Sequence, residues 1–189
     1  MVKKSTKLFY FVSVAGNLFL LALFAFLVFK TQLFRFYPVE QIPTEIENEL
    51  INLGKAALLS NDVPVGSVVV YDGEIIGRGF NTVFSDGNIA GHAEINALND
   101  AIKLHGIDVF LELDKSKLTV YSTYEPCEMC KGTLVHYRIN NVKFLKDKGF
   151  LRWLKNDRAG IIYELHKKQA GDESIQDSLF RLHPAYPGR

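Results

Sequence analysis

Two short segments constrain this chain more than anything else in it: His92-Ala93-Glu94, and later Pro126-Cys127-Glu128-Met129-Cys130. Together they supply one imidazole, two thiols and a spare carboxylate, the groups a catalytic zinc needs when one coordination position is kept for water. Any fold of the chain must therefore bring His92 and Cys127, 35 residues apart, to one point. Spacing within each segment divides the work. His92 and Glu94 stand two residues apart at a helix start, so their side chains diverge by about 200° and do not comfortably share one ion. His92 then serves as a ligand and Glu94 as a proton shuttle to the bound water. Cys127 and Cys130, at i and i+3, share one helix face, and Pro126 sits where that helix begins. A helix N-terminus lowers a thiol pKa, and a metal completes the deprotonation. Two thiolates, a neutral imidazole and Zn²⁺ sum to no net charge.

These are the only two cysteines in the 189 residues. A four-cysteine zinc ribbon and a secreted disulfide scaffold are both excluded, leaving metal ligation or redox chemistry. Each segment alone is a weak signal, because H-x-E triplets arise by chance and C-x-x-C also serves thioredoxin-like redox sites. The redox reading has no use for His92 or Glu94. The pair, each opening a helix after a β-element, is specific.

The surrounding pattern is that of an α/β chain. Ile46, Leu50, Leu53, Ala57 and Leu58 recur at helical spacing behind Pro43 and Thr44. Val65 to Tyr71 and Glu74 to Phe80 read as strands joined at Asp72-Gly73, a strong two-residue hairpin signal. A turn-rich loop from Asn81 to Gly91 leads to a helix from His92 to His105. A strand over Leu118 to Ser122, a helix over Cys127 to Tyr137 and strands over Val142 to Leu145 and Ile161 to Leu165 complete the reading. Strands alternating with helices predict an α/β sandwich.

The N-terminus has another character. Leu8 to Phe29 carries no charge, and as a helix would be about 33 Å long, enough to cross a hydrocarbon core of about 30 Å. The expectation is a transmembrane helix at about 8–29 within a flank of 1–29, a linker over 30–43 and a catalytic domain over 44–189. A cleaved signal peptide is the alternative, disfavoured by the length of the run and by the lack of a small-x-small site before Lys30. The chain is then a single-pass membrane protein with a membrane partner, and the charges flanking the run do not decide which side holds the domain. Five of the 22 basic residues, and none of the 21 acidic ones, precede Pro38, so residues 38–189 are net −4. An acidic domain argues against a large polynucleotide footprint.

H-x-E followed by P-C-x-x-C is the signature of zinc nucleobase deaminases. The chain resembles the tRNA-specific adenosine deaminase and guanine deaminase branch of the cytidine-deaminase-like superfamily. The likeness runs through PVGSVVV (64–70), IIGRGFN (75–81), HAEINAL (92–98), STYEPCEMCKGTLVHYRI (122–139) and NVKF (141–144), and covers roughly residues 44 to 146. It implies a three-layer α/β/α sandwich around a five-stranded mixed sheet, with Zn²⁺ held by His92, Cys127 and Cys130. It implies that Glu94 passes protons while zinc-bound hydroxide attacks the amino-bearing ring carbon, releasing ammonia. Asn81 matches the asparagine that contacts the base, and a homodimer is a common state of relatives.

The chain also departs from that branch. Asn88-Ile89-Ala90-Gly91 stands where D-P-T-A is usual, and the segment Gly106 to Lys117 is longer. After Phe144 the likeness fades into a basic stretch, 143–158, with Phe150 and Trp153 interleaved. It reads as a solvated helix face over an aromatic side, ahead of a nucleic-acid contact. The expected activity is zinc-dependent hydrolytic deamination of a small nucleobase, nucleoside or nucleotide, a purine being favoured. A tRNA or other polynucleotide adenosine deaminase is the alternative. A catalytically silent zinc-stabilised module at a membrane is the rival from another class.

Overall fold

The structure is a computed structural model that describes residues 2–33, 40–168 and 173–182. It divides into two units, Met1–Ile42 and Pro43–Arg189. The first contains α1 (Val2–Leu33), with Leu18, Phe19, Leu21 and Phe24 all exposed. The expected single-pass membrane placement is not upheld. Among the described residues no helix is long and apolar enough to cross a membrane.

In the second unit α2 (Thr44–Leu59) precedes a hairpin of β1 (Gly66–Tyr71) and β2 (Glu74–Phe80). At its turn Asp72 and Gly73 take φ of 51° and 91°, the two left-handed positions a type I′ turn requires. Then come α3 (Ala93–His105), α4 (Ile107–Glu112), a 3-10 turn, β3 (Leu118–Tyr124), α5 (Glu128–His136), β4 (Asn141–Lys146), α6 (Gly149–His166) and α7 (Glu173–Leu182). Among the described residues the sheet has four strands in the order β2-β1-β3-β4, with β1 antiparallel to both neighbours and β4 parallel to β3. Thus β2, β3 and β4 run the same way, and their carboxyl ends share one edge of the sheet. Crevices outside such ends are where open α/β sheets bind ligands.

The expected fifth strand, Ile161 to Leu165, is instead part of α6. Phe150, Trp153, Leu154, Ile161 and Leu165 recur at helical spacing across its whole length, and a five-residue apolar window hides that longer period.

Side-chain alternation sorts the layers. Ser67, Val69 and Tyr71 share one face of β1, with Ser122, Val120 and Leu118 paired opposite on β3. Val69, Leu118 and Val120 join Ala97, Leu98, Ala101, Phe110, Leu134 and Ile139 in the main core, so α3, α4 and α5 cover this face. Gly66, one step out of phase, meets Leu50 and Leu53 of α2, which covers the other. Phe110, fully buried, anchors the longer segment after α3, and Lys115 Nζ closes α4 by donating to the carbonyls of Phe110, Leu111 and Leu113 at 2.7, 3.0 and 3.0 Å.

Close approach of α3 to the hairpin sets the site. A Cβ on Gly77 would lie 2.3 Å from the Ala97 carbonyl oxygen, and one on Gly79 would lie 2.3 Å from the Ala97 nitrogen. Facing these glycines, Ala93, Ala97 and Ala101 are fully buried at i, i+4 spacing. Small residues on both sides let the helix backbone rest on β2, and its first turn arrives at the carboxyl edge of the sheet.

Candidate active site

Both halves of the motif sit where a loop becomes a helix. His92 is the residue before α3, with extended backbone (φ −80°, ψ 148°), and Cys127 stands likewise before α5 (φ −74°, ψ 171°). Each helix therefore starts one residue later than its motif. Neither His92 nor Cys127 is held to a helical rotamer, and Cys130 comes from the following turn.

The three donor atoms converge. Cys127 Sγ lies 3.4 Å from His92 Nδ1 and 3.5 Å from Cys130 Sγ, and Cys130 Sγ lies 3.6 Å from the same nitrogen. A tetrahedral site with zinc–sulfur bonds of about 2.3 Å and zinc–nitrogen bonds of about 2.0–2.1 Å has edges of about 3.8 Å and about 3.6 Å. The triangle matches such a face, and its donor set, one nitrogen and two sulfurs, suits Zn²⁺. The Cys127 thiol is lowered to about 5, chiefly by the Cys130 thiol beside it and, against burial, by the backbone N–H groups of Cys130 and Met129 and by His92. Cys130, wholly buried, is pushed up by Cys127, by burial and by the Glu94 carboxylate.

Glu94 is in the first turn of α3, only 3% exposed, and its Oε1 accepts from the Ser122 hydroxyl at 3.1 Å. With His92 and Cys127 it lines a cleft of about 350 Å³. Asn81, 7% exposed at the end of β2, lines the same cleft, with Val63 and Val65 before β1, Tyr124 and Glu125 at the end of β3, and Lys148 after β4. All five expected site residues are thus brought together. The basic stretch is divided: Lys148 faces the cleft, Lys155 and Arg158 are exposed on α6, and the side chains of Phe150, Arg152 and Trp153 lie outside the described residues.

Sequence reasoning missed Ser122 and Asp62. Asp62, in the turn after α2, is 5% exposed and accepts from the N–H groups of Phe84 and Ser85 at 2.9 and 3.0 Å and from Asn81 Nδ2 at 3.5 Å. It ties the β2–α3 loop, and with it the cleft wall at Val83 and Phe84, to the rest of the domain. Burial disfavours its charge, but the Phe84 and Ser85 donors and the Asn81 amide outweigh burial and hold its carboxyl below the usual range. A carboxyl with a depressed folded pKa contributes stability above its unfolded pKa, about 3.9, and loses that contribution as pH falls through the folded value. Protection factors of the Phe84 and Ser85 amides in hydrogen exchange are therefore expected to hold at neutral pH and to fall as pH drops below about 4. With Asp62→Ala they are expected to be low throughout. Protection unchanged by the substitution would contradict this role.

Fold and site together place a His/Cys/Cys triangle that suits Zn²⁺ and a buried carboxylate at the carboxyl edge of a mixed sheet. The chain belongs to the family of the cytidine and deoxycytidylate deaminase zinc-binding region, whose model matches residues 45–146. It is similar to a tRNA-specific adenosine deaminase subunit of Schizosaccharomyces pombe, 33% identical over 139 residues that cover 72% of this chain and 31% of that protein. A tRNA-specific adenosine deaminase of Buchnera aphidicola is 37% identical over 97 residues, covering 50% of this chain and 55% of that one. The chain thus spans about a third to about half of the length of these relatives. In fold it is similar to the X-ray structure of guanine deaminase from Bacillus subtilis, with a TM-score of 0.58 and 23% identity over 76% of this chain and 96% of that one.

Proposed function

We propose that residues 44–189 form a zinc-dependent hydrolase that replaces the amino group of a purine by a carbonyl, water being consumed and ammonia released, with adenosine in tRNA or a related polynucleotide as substrate. The observation that carries the reaction is the His92–Cys127–Cys130 triangle with buried Glu94 beside it in one cleft. Zinc at such a face supplies a Lewis acid that makes water nucleophilic near neutral pH. His92 and the two cysteines hold the ion in this reading. Glu94 carries two protons in turn, one from the water to the ring nitrogen and one from the resulting hydroxyl to the leaving amine, on a carboxyl that burial keeps away from bulk solvent. Asn81, with its amide tied to Asp62, orients the base edge.

The reading as tRNA substrate is supported by the names of the sequence relatives and by the rim of the cleft. Phe84 lines it while 72% exposed, and Lys148 Nζ lies 5.7 Å from the centre of the Tyr124 ring. An open aromatic and a cation suit a base neighbouring the target and its phosphate. Ammonia release by the zinc-loaded chain on tRNA, adenosine, adenine and guanine tests this. Turnover of tRNA far above that of the free purines is expected. A preference for a free base or nucleoside would return the substrate to the small-molecule class.

A further inference from the structure

We propose that Ser122 is a positioning residue that fixes Glu94 for proton transfer; this rests on the reading of Glu94 as the acid and base of the site. A carboxylate that is 3% exposed needs donors in place of water, and the Ser122 hydroxyl, on a residue with no exposed surface, is one at 3.1 Å.

The sheet register gives that hydroxyl its direction. Ser67 and Ser122 are paired partners on β1 and β3, on the face that α3 covers. Ser67 donates to the Tyr121 carbonyl at 2.7 Å, so its hydroxyl is committed to backbone. Ser122 Oγ instead accepts from the Tyr124 N–H at 3.5 Å, which leaves its own hydrogen for Glu94 Oε1. With Oε1 held, the carboxylate keeps one orientation and Oε2 is the oxygen that takes and returns a proton.

The chain leaves β3 at Tyr124 and reaches Cys127 three residues later, so β3 sets both the donor on Glu94 and the place of the first thiolate. A shift of β3 relative to α3 would move proton carrier and metal face together. Ser122 links the two halves of the motif through the protein rather than through the ion.

The test uses the full chain. Ser122→Ala is expected to lower kcat at least about tenfold, as misplacement of a reacting group does. KM is expected to stay within about twofold in the same comparison, and zinc content to stay unchanged. Ser122→Thr, which keeps a hydroxyl, recovers most of kcat, and Ser122→Cys, of similar size with a weaker donor, falls between. Independently of turnover, the antisymmetric carboxylate stretch assigned to Glu94 by infrared difference against Glu94→Gln shifts in Ser122→Ala and returns in Ser122→Thr. An unshifted band, or a folded, zinc-loaded Ser122→Ala with wild-type kcat, overturns the proposal. So does a loss confined to zinc content or KM. If Glu94→Gln is inactive while Ser122→Ala is fully active, only the role of Ser122 fails. Normal turnover by Glu94→Gln removes the reading beneath it as well.

Discussion

Glu94→Gln is expected to lower turnover by about 10³-fold while leaving fold and zinc content as they are, since a positioned acid and base contributes on the order of 10²–10⁴. Glutamine keeps the volume of the side chain, and its amide oxygen can still accept from Ser122, the partner Glu94 has at 3.1 Å. What it loses is the capacity to take up a proton and give it back. The offset of Glu94 from His92 keeps the change out of the proposed metal face of His92, Cys127 and Cys130. Steady-state kinetics with metal analysis of the same preparation make the measurement. A zinc-loaded variant that still works at the wild-type rate would remove Glu94 from the chemistry.

Cys127→Ala has the other large effect, of a different kind. It removes the proposed ligand that stands before α5, with neighbours at 3.4 and 3.5 Å, and leaves only one sulfur and one nitrogen of the triangle. Stoichiometric zinc and all activity are expected to be lost. Stability should follow, because the ion ties the start of α3 to the start of α5 and an ion bound only by the folded state stabilises it by mass action. The discriminating readout is thermal unfolding with and without a chelator. The unsubstituted chain should lose melting temperature when its zinc is stripped, whereas Cys127→Ala should start low and respond little. Full zinc occupancy in the variant would mean that other residues hold the metal.

The parts that are local chemistry were legible in the residues. Asp72-Gly73 dictates its turn because the backbone there requires two positive φ angles, found at 51° and 91°. H-x-E and P-C-x-x-C could be joined across 35 residues because zinc demands a definite donor set. What stayed hidden depends on neighbours distant in sequence. Ser122 is one small residue in a strand, and only its pairing with Ser67 and the approach of α3 over Gly77 and Gly79 place it at Glu94. Asp62 reads as a turn residue until the loop at Phe84 and Ser85 folds back onto it. Ile161 to Leu165 shows why a short apolar window is ambiguous: its period emerges only over the 18 residues of α6. The run from Leu8 to Phe29 shows the limit of hydropathy, which reports how apolar a segment is and not what surrounds it.

The most direct measurement of the central claim is isotopic. The zinc-loaded chain, incubated with its tRNA substrate in ¹⁸O-water, should release ammonia in step with product and place one ¹⁸O at the carbon that carried the amino group. Zinc-loaded protein that leaves the base unchanged, or a product without the solvent oxygen, would contradict hydrolytic deamination at the His92, Cys127 and Cys130 site.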